Sequence, residues 1–157
     1  MRYWTQFCFS KDYKKIDDLR YFKIFCQSRG HSWILPESIY DIYFRLGKLL
    51  GWLYTKNFFN DPVELYFIDD LKISHFNIKL FNCQGPTNIL SFPAAEGLSA
   101  VLLLSLNTFK REYRLYDQAP VFYLYFLLTH GISHLSGLEH GDAFSHFQNQ
   151  CLKYLDL

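Results

Sequence analysis

Apolar residues recur along this chain with two different periods, and each change of period marks an element. Arg20 to Gln27 (RYFKIFCQ) has strand composition and ends at Ser28-Arg29-Gly30, a turn signal. Pro36-Glu37-Ser38 opens a stretch reaching Trp52 in which Ile39, Ile42, Tyr43, Leu46, Leu49 and Leu50 return at intervals of three and four, the one-sided stripe of a helix. Asp61-Pro62 breaks that pattern. Val63 to Ile68 (VELYFI) then reads as a strand, and Asp70 to Leu80 as a short helix.

Thr87 to Phe92 (TNILSF) and Ala100 to Leu106 (AVLLLSL) are two further strands, the second a continuous apolar run that predicts cover on both faces. Asn107 is placed to cap a helix carrying Lys110, Arg111 and Arg114. Pro120 suits the first turn of a long, almost wholly apolar helix that reaches Ser136 and is stopped by Gly137. A last helix runs from Asp142, its expected cap, to Leu155. No repeat, low-complexity tract or linker interrupts the series. The expected fold is α+β: a single layer-packed domain over residues 20–157, with a roughly four-stranded mixed sheet and four or five helices. Residues 1–19, aromatic at first and then charged, form an amino-terminal extension to it.

Composition narrows the class. Of 157 residues half are hydrophobic and a fifth aromatic, which a globular core requires and a disordered chain lacks. Sixteen basic and 15 acidic residues leave a formal charge of +1, so any nucleic-acid partner must be held by a local patch. Cys8, Cys26, Cys83 and Cys151 form no CxxC pair, which excludes zinc-ribbon and thioredoxin-type sites. The amino terminus has no apolar stretch of signal-peptide length, and the longest apolar run, Val121 to Leu128, is less than half of a bilayer span. A cytoplasmic protein with reduced core cysteines and no membrane partner is expected.

The segment with chemistry in it is Thr129-His130-Gly131-Ile132-Ser133-His134-Leu135-Ser136-Gly137-Leu138-Glu139-His140. His130 and His134 lie four apart, on one face of a helix, where two imidazoles can share a metal ion. Gly137 can end that helix in a left-handed turn and return His140 as a third ligand. Because the helix is apolar nearly all round, its histidines are expected to be buried, and a buried polar group without a partner costs about 1–3 kcal/mol. One Zn2+ per chain, held by His130, His134 and His140 with a fourth position open, is the pattern of a catalytic site. The metzincin peptidases share this spacing, but the glutamate they use as general base after the first histidine is Gly131 here.

HGISHLSGLEH resembles the H-G-x-x-H-L-x-G-x-D-H signature of the YbeY endoribonucleases, bacterial ribosomal-RNA maturation factors. Pro86-Thr87-Asn88-Ile89-Leu90-Ser91-Phe92-Pro93 resembles that family's P-T-D/N-V-L-S-F-P strand, and the resemblance extends from Arg20 to the carboxyl terminus. It implies a small α+β domain with zinc at the end of a cleft, and hydrolysis of single-stranded RNA in small-subunit rRNA maturation and ribosome quality control. His130, His134 and His140 would act through the bound zinc. Thr87, Asn88, Ser91 and Phe92 would line the cleft, and the partners would be rRNA and the ribosome or its assembly factors.

Three positions depart from the family pattern. An arginine suited to phosphate recognition, in a Y-R-G context, is replaced by Phe81; a Gly-Asp pair by Ser99-Ala100; and the aspartate before the third histidine by Glu139. Lys79, Lys110, Arg111 and Arg114 are then the candidate cations for phosphate, and Phe81 and Phe92 the candidates for stacking on bases, each weighed against an ordinary surface or core role. Glu139 either orients the neighbouring ligand or faces solvent. His31, His75 and His146 have no ligand spacing. Two other classes remain open: a zinc hydrolase of peptides or small molecules, and a non-catalytic ribosome-binding module stabilised by zinc. Three protein ligands rather than four favour catalysis.

Overall fold

The computed structural model describes residues 22–26 and 35–157; the expected extension at 1–19, Cys8 and His31 lie outside them. The described residues form β1 (Phe22–Cys26), α1 (Ile39–Thr55), β2 (Val63–Ile68), α2 (Asp70–Phe81), β3 (Ile89–Phe92), β4 (Ala100–Ser105), α3 (Leu106–Leu115), α4 (Pro120–Leu135) and α5 (Asp142–Tyr154). The sheet order is β1-β2-β4-β3. β1, β2 and β4 run parallel, with Val63 opposite both Phe22 and Ala100, and β3 is antiparallel to β4, with Ile89 opposite Leu104. This is the expected α+β domain with a mixed sheet.

The apolar alternation decides what covers each face. Leu65, Phe67, Leu102 and Leu104 share one core with Leu46, Leu49 and Leu53 of α1 and Leu124, Leu128 and Ile132 of α4. On the other face Ile68 and Leu103 pack with Ile73 of α2. β4, hydrophobic without interruption, is covered on both sides, which is why its sequence shows no alternation. α5 lies on α4 and completes the first core through Phe147, Cys151 and Leu152.

Four details differ from the sequence expectation. α3 starts two residues earlier, at Leu106, and is capped by Ser105, whose Oγ accepts from the Thr108 N–H at 3.3 Å. Asn107 caps a different helix: its Oδ1 accepts from the Asp70 N–H at 3.1 Å, at the start of α2. β3 begins at Ile89 rather than Thr87, because the Asn88 side chain takes the Ile89 N–H at 2.7 Å. Asp142 is the first residue inside α5, preceded by Gly141, and its charge meets the positive end of the helix dipole. The cysteines also divide: Cys151 is buried, Cys26 partly so, and Cys83 exposed. Burial pushes the Cys26 thiol up to about 11 and that of Cys151 up to about 12, which leaves both protonated and inert near neutral pH.

One polar cluster ties the upper ends of these elements together. The Asp70 carboxylate accepts from Ser105 Oγ (2.6 Å), Thr108 Oγ1 (2.7 Å) and Arg111 Nη1 (2.6 Å), joining α2, β4 and α3. Burial raises the Asp70 pKa, but the bonds from Arg111, Ser105 and Thr108 together outweigh it and hold the group below its ordinary value. None of the described helices is long and apolar enough to cross a membrane.

Candidate metal centre

α4 delivers the first two ligands. Pro120 occupies its first turn, and His130 and His134 follow near its end on the same face, with ring centroids 4.9 Å apart. The helix closes at Ser136, and Gly137 takes φ +79°, a conformation that disfavours any residue with a side chain. The reversed chain brings His140 to 4.8 Å from His134 and 5.2 Å from His130, ring to ring. One nitrogen from each of the three imidazoles lies within 4.8 Å of the others. Among the described residues no other three histidine, cysteine, aspartate or glutamate side chains converge in this way.

Phe144, in the first turns of α5, lies beneath all three rings at 4.9, 4.8 and 4.9 Å from His130, His134 and His140. It is itself buried, so the histidines rest on an apolar floor and open toward solvent on the other side. His130 and His134 are half-buried and His140 is exposed, rather than all buried. The polar face of α4 runs out at the surface while its apolar residues fill the core.

Burial, and then the adjacent His134 and His140, push His130 down to about 4, and burial followed by His140 lowers His134 too. Both are therefore neutral at pH 7 and present ring lone pairs. His130 Nε2 faces His140 Nε2 at 3.4 Å, where at most one N–H can bridge two nitrogens. Three converging imidazoles with one open side are a donor set that fits a borderline-soft divalent metal such as zinc.

The helix stands close to the sheet at Gly131. A Cβ there would lie 2.8 Å from Leu102 Cδ2, 2.9 Å from Ile89 Cδ1 and 3.1 Å from Ser91 Oγ, so the glycine between the ligands serves close packing of α4 on β3 and β4. The motif strand thereby divides. Ile89 and Ser91 face α4, whereas Leu90 and Phe92 pack with the α2-side core. Phe81, at the end of α2 and half exposed, stacks on Phe92 at 6.2 Å. The next residue, Asn82, takes φ +53°, the left-handed conformation that the glycine of the family's Y-R-G context would adopt readily. Thr87 and Asn88 precede β3, and Asn88 Nδ2 is committed to Glu112 Oε2 at 3.0 Å.

Of the candidate cations, Lys79 is exposed in the last turn of α2 and Arg111 is engaged by Asp70, while Lys110 and Arg114 are exposed on α3. Glu139 is exposed and makes no hydrogen bond or ion pair among the described residues. The sequence reading missed Phe144 as the floor of the site; the signal was its place at the head of the Phe144, Phe147, Cys151 stripe of α5.

Comparison with known proteins agrees with this geometry. The family described as Endoribonuclease YbeY matches residues 50–148. The Endoribonuclease YbeY of Lawsonia intracellularis is 35% identical over 123 residues, covering 78% of this chain and 89% of that protein. That of Nitratidesulfovibrio vulgaris is 32% identical over 139 residues, covering 74% and 84%. A Thermotoga maritima protein of known solution structure shares the fold, with a TM-score of 0.59 and 16% identity over 85% of this chain and 88% of that one. With matched sequence along most of its length and the signature histidines gathered at the end of α4, the chain belongs to the YbeY family.

Proposed function

We propose that this chain is a zinc-dependent endoribonuclease that cuts single-stranded RNA in the cytoplasm, during small-subunit rRNA maturation and ribosome quality control. The observation behind this reading is the convergence of three imidazole nitrogens within 4.8 Å in a chain of the YbeY family. His130, His134 and His140 would hold the metal. A zinc ion bound there supplies a Lewis acid and a water acidified toward neutral pH.

The remaining tasks fall to the chain's own residues. Burial keeps His130 and His134 unprotonated and available as ligands at neutral pH. Phe144 closes the site from below and excludes water on that side. Gly131 lets β3 approach, which places Ser91 beside the ligand-bearing turn; Thr87, Asn88, Phe92 and Lys79 remain candidates for the cleft around it. Glu139, facing solvent, holds no ligand in place among the described residues, so positioning of the rings rests on packing. The domain spans residues 20–157, with 1–19 as an extension.

The test is a substrate panel: single-stranded RNA, duplex RNA and a peptide, each with and without chelator. Cleavage of the single strand alone, abolished by chelator and restored by zinc, is the expected result. Chelator-sensitive hydrolysis of the peptide with RNA left intact would replace this reading with a metallopeptidase.

A further inference from the structure

A groove runs along the exposed side of α3, with Pro86, Lys110, Arg114 and Tyr116 in its wall. Lys110 and Arg114 lie one turn apart, so both point to the same side, and neither makes an ion pair among the described residues. Arg111, between them in sequence and also in the wall, is paired with Asp70 at 2.6 Å. The acidic member of the wall, Glu112, has its Oε2 taken by Asn88 at 3.0 Å and Tyr123 at 2.8 Å. Arg114 lies over the Tyr113 ring at 5.7 Å, so the groove offers two cations without carboxylate partners among the described residues, beside the start of the P-T-N strand.

From the same groove a line of aromatic rings leads to the metal centre. Tyr116, 54% exposed, lies 6.1 Å from Tyr123; Tyr123 lies 6.0 Å from Phe126, which is 36% exposed; and Phe126 lies 6.5 Å from His130. Tyr123 is buried and supports the two exposed rings on either side of it. Tyr123 and His130 are seven residues apart on one helix, about 10 Å, which about three stacked nucleotides would span. Cations along one edge and exposed rings at intervals are the combination that holds single strands, whose bases are free to stack; a duplex offers no such faces.

We propose that the α3 groove and the Tyr116–Phe126 line form the subsite that holds single-stranded RNA to one side of the cleaved bond, with Lys110 and Arg114 on phosphates and Tyr116 and Phe126 under bases. This rests on the endoribonuclease reading, and it places base stacking on the α4 side of the sheet rather than at Phe81 and Phe92.

The test is fluorescence anisotropy of a labelled uridine dodecamer with the full chain across a salt series. The integrity of the oligonucleotide is checked on a gel and cleavage by the wild type is followed in parallel. Lys110→Gln with Arg114→Gln should weaken binding and lower the slope of log affinity against log salt by about 1.4, since each phosphate contact on a single strand contributes about 0.7. Tyr116→Ala should weaken binding about tenfold with little change of slope, and Tyr116→Phe should restore it. If the wild type binds and cuts the dodecamer while these variants bind as well as it does, with the same slope, the subsite is refuted and the nuclease reading stands. If the wild type neither binds nor cuts it, the nuclease reading falls and the subsite with it.

Discussion

Gly131 and Leu102 approach so closely that a Cβ on the glycine would stand 2.8 Å from Leu102 Cδ2. This contact between α4 and β4 explains why glycine stands where the metzincins carry their base. The opposing atoms are the ends of flexible side chains, so Gly131→Ala should be tolerated to within about 1 kcal/mol, the shift of Leu102 and Ile89 being offset by better helix propensity. Gly131→Glu drives a longer, charged group into the same space and should destabilise by about 1–3 kcal/mol or more in a urea titration. It should gain no peptide hydrolysis, and chelator-sensitive proteolysis by that variant would show a peptidase scaffold lacking one residue.

Metal binding should be visible in stability as well as in composition. Protein purified without chelator should contain one zinc per chain, and removing it should lower Tm, because a ligand present at a hundred times its Kd stabilises the native state by about 2.7 kcal/mol. His134→Ala should lose the metal, and its Tm should no longer respond to chelator. Unit zinc content in that variant would place the metal elsewhere.

The metal-free protein should lose stability on mild acidification. His130 is held at about 4 by burial and then by His134 and His140, whereas the unfolded chain binds that proton near the ordinary histidine value of 6.5. Below 6.5 the unfolded state therefore takes up more protons than the native one, and stability falls until about pH 4, where both are protonated. Urea titrations of apo-protein between pH 7 and 4 should show this decline, and His130→Asn should flatten part of it. An equal slope in the variant would mean that other groups dominate.

Asp70 should matter for folding rather than for the metal. Asp70→Ala leaves the buried Ser105 and Thr108 hydroxyls without their acceptor, at about 1–3 kcal/mol, and frees the exposed Arg111. Because the Asp70 pKa is lowered, its contribution is present above the unfolded carboxylate value and is lost as pH falls below it. The variant should melt lower yet keep its zinc; loss of metal instead would tie this cluster to the site.

What was legible in the sequence was what repeats locally. The i, i+4 histidines, the glycine three residues on and the third histidine lie within eleven residues, and a helix end converts that spacing directly into a cluster. Val63–Ile68 and the Pro120 helix are likewise written in their own periodicity. What escaped depends on distant partners. Asn107 has good capping chemistry, but the donor it serves is Asp70, 37 residues away. Asn88 is held by Glu112 across 24 residues, a pairing that no local pattern announces. Alternation along β3 sets Phe92 on the face opposite Ser91, a division that strand composition alone does not assign to either side. The ring line from Tyr116 to His130 joins α3 to α4 and has no local signature in a chain with so many aromatics.

The most direct measurement of the central claim is cleavage of one single-stranded RNA by three preparations: zinc-loaded wild type, the same protein stripped by chelator, and His134→Ala confirmed to be folded. The account predicts cutting by the first alone, with activity returning to the stripped protein on addition of zinc and never to the variant. Undiminished cutting by a folded, zinc-free His134→Ala protein would contradict it.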